Sequence, residues 1–305
     1  MNPSLYLSSQ RPAPPLPKTV KIGNTLVGDG QPCFFVAEIG INHNGNPRIT
    51  EFLIDAAAQA RCNAVKFQKR TPDLCVPESQ KSKLKETEWG EMTYIEYRRK
   101  IELTKLDYQR IDAQCAARGI MWFASCWDIP SVEFISQFDV PCFKVASATL
   151  TDDDSLRAVR GAGKPILLST GMSTLEQIDH AIEVLGDHDL ILLHSVSSYP
   201  AYYNELNLRV MQTLRDRYSL PVGYSGHETG IASSTAAAAL GAAVIERHIT
   251  KDRSLWGSDQ AASLEPSGLR LLMRDIRLVE QSMGTAEKRV LARELPMIEK
   301  LRMKK

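Results

Sequence analysis

The stretch PILLSTGMSTLEQIDHAIEVLGDHDLILLHS, residues 165–195, carries the pattern that decides the fold. A largely apolar run, PILLST (165–170), leads into the amphipathic segment TLEQIDHAIEVLG and then into a second apolar run, LILLHS (190–195). Strands that are apolar on both faces are typical of a parallel sheet that is covered by helices. The stretch therefore predicts a strand, a helix and a second, parallel strand.

The same unit recurs along the chain, because eight such runs alternate with segments of helical character. The runs are FFVAEIG (34–40), AVKFQ (64–68), MWFASCW (121–127), CFKVAS (142–147), PILLST (165–170), LILLHS (190–195), VGYSGH (222–227) and AAVIERHIT (242–250). This number of strands predicts an α/β fold, a (β/α)8 TIM barrel. A doubly wound open sheet is the alternative, but it would usually show a Gly-rich fingerprint after its first strand, and EIGINHNGN lacks that spacing.

The segments outside the barrel predict a simple domain organisation. KTVKIGNTLVGDG alternates apolar and polar residues around a Gly-Asn turn, which indicates a short N-terminal β-hairpin. We predict a catalytic barrel domain over residues 19–290, including this hairpin. Residues 1–18 are rich in proline and predict a disordered arm, and residues 291–305 are expected to form a C-terminal tail.

Composition and charge exclude several classes of partner. The chain has 305 residues, 24% of them charged, and a formal net charge of +1 without a long basic run. We therefore expect no binding to nucleic acid or to a membrane surface. No run approaches the roughly 18 apolar residues of a membrane span, and the N-terminus lacks the pattern of a secretory signal.

Cysteine usage indicates a reducing, cytoplasmic location. Six cysteines show no CxxC pairing, and several lie inside apolar runs. Cys126 ends a predicted strand and is an alternative nucleophile, but no histidine is its evident partner in the sequence.

Polar residues follow or end each apolar run. The carboxyl ends of barrel strands face the active site, so these residues predict one site at one end of the barrel. Exposure of strand ends to solvent would explain polar residues there, but it explains poorly the lysines within apolar strands. The series consists of Glu38, Lys66, Gln68, Ser125, Lys144, Ser147, Ser169, Thr170, His194, Ser197, Ser225, His227, Glu246 and His248.

Two groups in this series suggest a chemistry. His227 and His248 end neighbouring strands, and paired imidazoles suit a divalent transition metal. Lys66 and Lys144, with the strand-end serines, form a cationic and hydroxyl-rich ring suited to phosphate and carboxylate. The STGMST turn adds backbone N–H groups that favour an anion. Together they predict a phosphorylated acid that meets a carbonyl polarised by a metal.

The chain resembles the sialic acid synthase family in nine segments, which occur in the family's order from about residue 20 to residue 284. The segments are AEIGINHNG, AVKFQ, FASCWD, KVAS, KPILLSTGMSTLEQI, LLHSVSSYP, VGYSGHETG, ERHITKDR and GSDQAASLEP. The resemblance implies an enzyme that condenses phosphoenolpyruvate with an aldose to a 2-keto-3-deoxy sugar acid and releases phosphate. It also implies a homo-oligomer, a dimer or a tetramer.

The resemblance also implies roles for individual residues. His227 and His248 would bind Mn²⁺ or Mg²⁺. Glu38, Gln68, Tyr199 and Asp259 would face the sugar, with Glu38 placed for proton transfer or water positioning and Asp259 orienting hydroxyls. The residues expected to hold phosphoenolpyruvate are Lys66, Ser125, Lys144, Ser147, Ser169, Ser197 and Ser225.

Three departures from the family bear on the acceptor sugar. The chain ends after GTAEKRVLARELPMIEKLRMKK, where relatives continue into an antifreeze-like domain that lends an arginine to the partner subunit's site. Thr149 stands where relatives carry Asp or Glu, and Gln260 stands where many carry histidine. We expect an N-acylated hexosamine or a related sugar and leave its phosphorylation open. The long charged segment 69–103 is a candidate lid or a surface insertion.

Two alternative functions remain. A Schiff-base aldolase acting on pyruvate would use Lys144 or Lys66 as its nucleophile, but it leaves the paired histidines unexplained. A non-catalytic barrel that binds a sugar acid, or serves as a partner subunit, is the other alternative.

Overall fold

The computed structural model describes residues 18–303, and a closed barrel of eight parallel strands forms its centre. The predicted arm lies outside the described residues except for Lys18. In chain order the strands are β1 (Thr19–Ile22), β2 (Thr25–Gly28), β3 (Phe34–Gly40), β4 (Ala64–Lys69), β5 (Leu84–Thr87), β6 (Gly90–Thr93), β7 (Met121–Cys126), β8 (Phe143–Val145), β9 (Ile166–Ser169), β10 (Leu190–Ser195), β11 (Val222–Gly226) and β12 (Val244–His248).

The barrel closes between its first and last strands. Its strands follow one another in chain order, and β12 pairs with β3 so that His248 lies opposite Glu38. The antiparallel hairpin of β1 and β2 precedes the barrel, while β5 and β6 form a separate hairpin between β4 and β7. The predicted TIM barrel with an N-terminal hairpin is confirmed.

Helices surround the barrel, and their ends carry the expected capping residues. Thr104 and Asp107 form a capping box at the start of one helix, which ends at Gly119 in the left-handed conformation. Thr174 and Gln177 form another capping box. In chain order the helices are α1 (Pro47–Gln59), α2 (Pro72–Cys75), α3 (Glu78–Lys81), α4 (Tyr94–Ile101), α5 (Lys105–Arg118), α6 (Ile129–Ile135), α7 (Asp153–Gly161), α8 (Leu175–Leu185), α9 (Val210–Tyr218), α10 (Ala232–Ala239), α11 (Pro266–Met283) and α12 (Leu295–Leu301).

Strand alternation separates the site from the core. On β4, the side chain of Phe67 packs outward against the rings of Tyr108 and Trp122. Successive side chains of a strand point to opposite faces, so its neighbours Lys66 and Gln68 point into the barrel. The outer layer of apolar side chains thus fixes which polar side chains meet inside.

Two segments lie outside the regular barrel. Residues 70–103 hold α2, α3, the β5–β6 hairpin and α4, so the long segment after β4 is ordered and mostly regular. Residues 291–303, within the expected tail, contain a 3-10 turn (Ala292–Glu294) and α12, with exposed apolar side chains. No helix in the described range is long and apolar enough to cross a membrane.

Candidate active site

A cavity of about 170 Å³ lies at the carboxyl ends of the barrel strands. We call it the central cavity. Every residue given a substrate or metal role lines it, except Asp259. Of the wider strand-end series, Thr170 and His194 do not line it, because their side chains bond to the backbone carbonyls of Leu193 and Leu206. Its lining is Glu38, Lys66, Gln68, Ser125, Trp127, Lys144, Ala146, Ser147, Ala148, Ser169, Met172, Ser195, Ser197, Tyr199, Ser225, His227, Glu246 and His248.

A buried network of two lysines and two glutamates forms the floor of this cavity. Lys66 Nζ lies 2.8 Å from Glu38 Oε2 and 3.6 Å from Glu246 Oε1. Lys144 Nζ lies 4.0 Å from the same Glu246 oxygen and donates to Ser169 Oγ at 2.6 Å. Glu246 therefore lies between the two ammonium groups and offsets the repulsion between them.

Burial sets the charge of these groups. Burial lowers the pKa of Lys144 to about 8, against the attraction of Glu246. Burial also disfavours the charged form of Lys66, but the carboxylates of Glu246 and Glu38 outweigh it and raise its pKa. For Glu38, burial outweighs the attraction of Lys66 and raises the pKa to about 7. A carboxyl group with a pKa near neutrality suits proton transfer.

Serine hydroxyls and one glycine form the wall beside Lys144. The Gly171 N–H donates to Ser147 Oγ at 3.0 Å, so this N–H of the STGMST turn is already used within the protein. A Cβ at position 171 would lie 2.4 Å from Ser197 Oγ and 2.8 Å from Ser147 Oγ. Only glycine lets the backbone approach both hydroxyls without displacing them.

The two histidines lie together, as predicted, with ring centroids 5.6 Å apart. His227 Nδ1 lies 2.7 Å from the Val196 carbonyl, which can only accept, so this nitrogen carries the proton. His227 Nε2 is then free to accept from the Tyr199 hydroxyl at 3.0 Å. Burial, and next the neighbouring His248, lowers the pKa of His227 to about 4, and burial also lowers that of His248. Both rings are neutral at physiological pH.

This pair fits two ligands of a divalent metal ion. Metal-binding imidazoles are neutral, and the hydrogen bond to Val196 orients His227 as the outer partner of a ligand does. His248 Nδ1 is buried without a hydrogen-bond partner. Among residues 18–303, no group of three or more His, Cys, Asp or Glu side chains is arranged to hold a metal. If this pair holds a metal ion, water or substrate would have to complete the coordination.

Of the residues expected to face the sugar, Glu38 lies in the floor, and the other three line a second cavity. Gln68 Nε2 donates to Glu38 Oε1 at 3.0 Å, and Tyr199 lies against His227. Asp259 lines a second cavity of about 360 Å³, the adjoining cavity, which shares Gln68, Trp127 and Tyr199 with the central one. Its carboxylate lies 3.9 Å from His248 Nδ1.

The two substituted family positions lie back from the central cavity. The Thr149 hydroxyl donates to the Ala146 carbonyl at 3.2 Å within a 3-10 turn. Gln260 is buried, accepts from the Thr250 hydroxyl and donates to the Asn42 carbonyl at 3.3 Å. Gln260 thus connects two loops and does not line the central cavity.

Sequence reasoning assigned no role to several lining residues. Glu246 belongs to the polar strand-end series, yet only the structure shows that it bridges two lysines. Trp127 and Ser195 also line the cavity, and Arg70 lies over the Trp127 ring at 3.6 Å. The sequence signal that could have identified Arg70 is its position directly after the polar end of β4.

Cys126 takes no part in the site. All six cysteines are free. Cys126 is buried on the outer face of β7, where its thiol contacts the Ser131 carbonyl at 3.5 Å and burial raises its pKa. A thiol held protonated and away from the cavity is not a nucleophile there.

The fold and the site define a class, a TIM-barrel protein whose cavity holds two buried lysines and several serine hydroxyls next to two neutral imidazoles. The sequence model of the NeuB family matches residues 53–288. The chain belongs to the NeuB family.

Named relatives and solved structures agree with this assignment. The chain is 36% identical over 280 residues to the N-acetylneuraminate-9-phosphate synthase of Mus musculus, covering 90% of this chain and 78% of that protein. It is 36% identical over 284 residues to the N,N'-diacetyllegionaminic acid synthase of Legionella pneumophila, covering 88% and 78%. The crystal structure of N-acetylneuraminic acid synthetase from Leptospira borgpetersenii, in complex with citrate, superposes with a TM-score of 0.83 at 30% identity, covering 94% of this chain and 99% of that one.

Proposed function

We propose that the protein condenses phosphoenolpyruvate with an open-chain aldose, giving a 2-keto-3-deoxy sugar acid of the nonulosonate type and inorganic phosphate. The observation that carries this proposal is the meeting of Lys66, Lys144 and two neutral imidazoles in one cavity. Membership of the NeuB family, whose matched relatives include synthases of sialic, legionaminic and pseudaminic acids, supports it.

The floor of the central cavity would bind phosphoenolpyruvate. Lys66 and Lys144 supply positive charge for its phosphate and carboxylate. The hydroxyls of the wall can donate to the same oxygens. They belong to Ser125, Ser147, Ser169, Ser197 and Ser225.

The proposed reaction joins C3 of phosphoenolpyruvate to the aldehyde carbon. The aldehyde oxygen then needs one proton, and a water molecule that adds at C2 releases one. The phosphate leaves by cleavage of the C2–O bond and takes up the proton of the C2 hydroxyl, which leaves the new ketone. Glu38 lies at the cavity, and with a pKa near 7 it can move this proton through its carboxyl oxygens.

Manganese or magnesium, held by His227 and His248, would supply a Lewis acid for the aldehyde oxygen or for water. The chain's own residues would position the sugar. Tyr199 and Gln68 line both the central and the adjoining cavity, and Asp259, in the lining of the adjoining one, would orient sugar hydroxyls. Metal dependence is therefore part of the proposal.

The test is a panel of aldoses, each incubated with phosphoenolpyruvate and Mn²⁺ and scored by phosphate release and product mass. We expect a product that combines the aldose with one pyruvate unit, loss of activity with EDTA, and recovery with Mn²⁺ or Mg²⁺. A lysine adduct trapped by borohydride with pyruvate would support the Schiff-base aldolase. Binding of a sugar acid without turnover of any aldose would support the non-catalytic barrel.

The proposal also includes a cellular compartment and an oligomeric state. Six free cysteines support a reducing, cytoplasmic compartment. A homo-oligomer, dimer or tetramer, is what the family resemblance predicts, and light scattering of the purified protein tests it.

A further inference from the structure

The adjoining cavity contains two arginines that the proposed reaction does not use. Arg70 and Arg98 both line it, and they are only 8% and 6% exposed. Arg70 follows β4, and Arg98 lies on α4 in the long segment after it. Both arginines therefore line one space, which shares lining residues with the central cavity.

Neither guanidinium has an ion-pair partner within the part of the chain that the structure describes. No carboxylate there lies within ion-pair distance of Arg70 or Arg98, and Arg70 Nε is buried without a hydrogen-bond partner. The charges of Glu102 and Asp259 act on Arg70 from farther away, but Glu102 pairs with Lys69, and Asp73 pairs with the neighbouring Arg99.

A third buried arginine has the ion-pair partner that Arg70 and Arg98 lack. Arg247 is fully buried and forms an ion pair of 3.0 Å with Glu228, which is equally buried. A buried charge without such a partner is strongly destabilising. Arg70 and Arg98 lack such a partner, and a ligand that supplies negative charge would provide one.

The protein also holds Arg70 in a fixed position. Its guanidinium lies over the Trp127 ring at 3.6 Å, and one of its nitrogens donates to Gln68 Oε1 at 2.6 Å. Gln68 in turn donates to Glu38 in the central cavity. The same side chain thus connects the arginine with the group proposed to act on the aldehyde end of the sugar.

We propose that the adjoining cavity binds a phosphate monoester carried by the acceptor sugar, through Arg70 and Arg98. This inference rests on the proposed condensation. A phosphate monoester is close to a dianion at neutral pH and suits two guanidinium groups. The cavity's other ionised group is Asp259, so the lining keeps an excess of one positive charge. The sugar would lie with its aldehyde in the central cavity and its phosphate in the adjoining one.

The experiment compares an N-acylated aminohexose, its 6-phosphate ester and the matching hexuronic acid, each with phosphoenolpyruvate and Mn²⁺. We expect kcat/KM for the phosphate ester to exceed that for the free sugar by about 10-fold or more. Arg98→Gln should reduce this ratio about 10-fold to 100-fold, and Arg70→Gln should act in the same direction. Arg99→Gln, an exposed neighbour on the same helix, is the matched control and should leave the ratio unchanged.

Several results would overturn the inference. These are equal kcat/KM for the free and phosphorylated sugars, a preference for the hexuronic acid, or an equal effect of Arg98→Gln on both acceptors. If Arg98→Gln does not fold, Arg98→Lys keeps the charge, loses the planar fork and should give a smaller drop.

The proposed function can fail separately. If no aldose is turned over, calorimetry in the presence of phosphoenolpyruvate makes the same comparison. Tighter binding of the phosphate ester that depends on Arg98 would retain the anion site, and equal binding of both sugars would remove it.

Discussion

At the scale of single residues, Glu246 allows two buried lysines to lie close together in the floor of the site. Two lysines share one buried space, and the Glu246 carboxylate lies 3.6 Å from one ammonium and 4.0 Å from the other. Without it, two like charges would face each other in a medium that screens them poorly. The incoming substrate anion would find these ammonium groups already in place, which is the preorganisation that binding requires.

The histidine pair gives the first prediction. His227→Ala or His248→Ala should weaken Mn²⁺ binding and lower kcat by more than about 100-fold, because even outer partners of a metal ligand are worth 10-fold to 100-fold. Calorimetry with Mn²⁺ alone gives a readout besides activity. His180→Ala, an exposed histidine on α8, is the control. Near-normal rates with tight metal retention in either variant would refute the ligand assignment.

Lys144 gives the second prediction. Lys144→Met should raise KM for phosphoenolpyruvate about 10-fold to 100-fold, the value of a charge-assisted hydrogen bond. The fold should persist, because Glu246 keeps Lys66 as a partner at 3.6 Å and methionine fills a similar volume. Initial rates at varied phosphoenolpyruvate measure the effect. An unchanged KM would remove Lys144 from the anion site.

At the scale of elements, the loop between β9 and α8 brings its backbone at Gly171 close to the side chains of Ser147 and Ser197. Gly171→Ala would place a Cβ 2.4 Å from Ser197 Oγ. Displacement of the serines should raise KM for phosphoenolpyruvate by about 10-fold. Gly161→Ala is the matched control, because its added Cβ meets nothing within 4 Å. Equal kinetics for the two variants would show that the serine wall does not bind substrate.

A buried ion pair links β12 to the segment after β11. Arg247 Nη1 donates to Glu228 Oε1 at 3.0 Å and to the Ser234 hydroxyl at 2.8 Å. Glu228→Gln should lower the free energy of unfolding by about 3–5 kcal/mol because it leaves a buried charge unpaired. Asp179→Asn breaks an exposed pair with Arg217 and should cost less than about 1 kcal/mol. Urea unfolding compares the two, and similar losses would contradict the argument.

Much of this element-level structure could be predicted from the sequence. The strands at 34–40 and 190–195 were located to the residue, because apolar runs bounded by polar residues leave little choice. Side-chain alternation then brought Lys66, Lys144 and the histidines to one end. The roles of Glu246 and Arg98 could not be predicted, because they depend on contacts between residues far apart in the chain, such as that of Glu246 with Lys66.

At the scale of the whole molecule, binding and stability are coupled. Phosphoenolpyruvate that binds the folded chain alone should stabilise it by about 2.7 kcal/mol at 100 times its Kd, a rise in Tm of about 5 °C. Thermal melts with and without the ligand measure this rise. Lys144→Met should lose most of it at the same concentration, whereas Gly161→Ala should keep it. An unchanged Tm for the unmodified protein would mean that the ligand does not bind.

The pairing of β12 with β3 has a consequence for synthesis of the chain. Glu38 is made early and His248 late, and they become neighbours only when the ring closes. A nascent chain that has emerged only as far as α10 contains seven barrel strands but lacks His248, one of the two proposed metal ligands. The chain could therefore become active only in a single late step, after most of the polypeptide has left the ribosome.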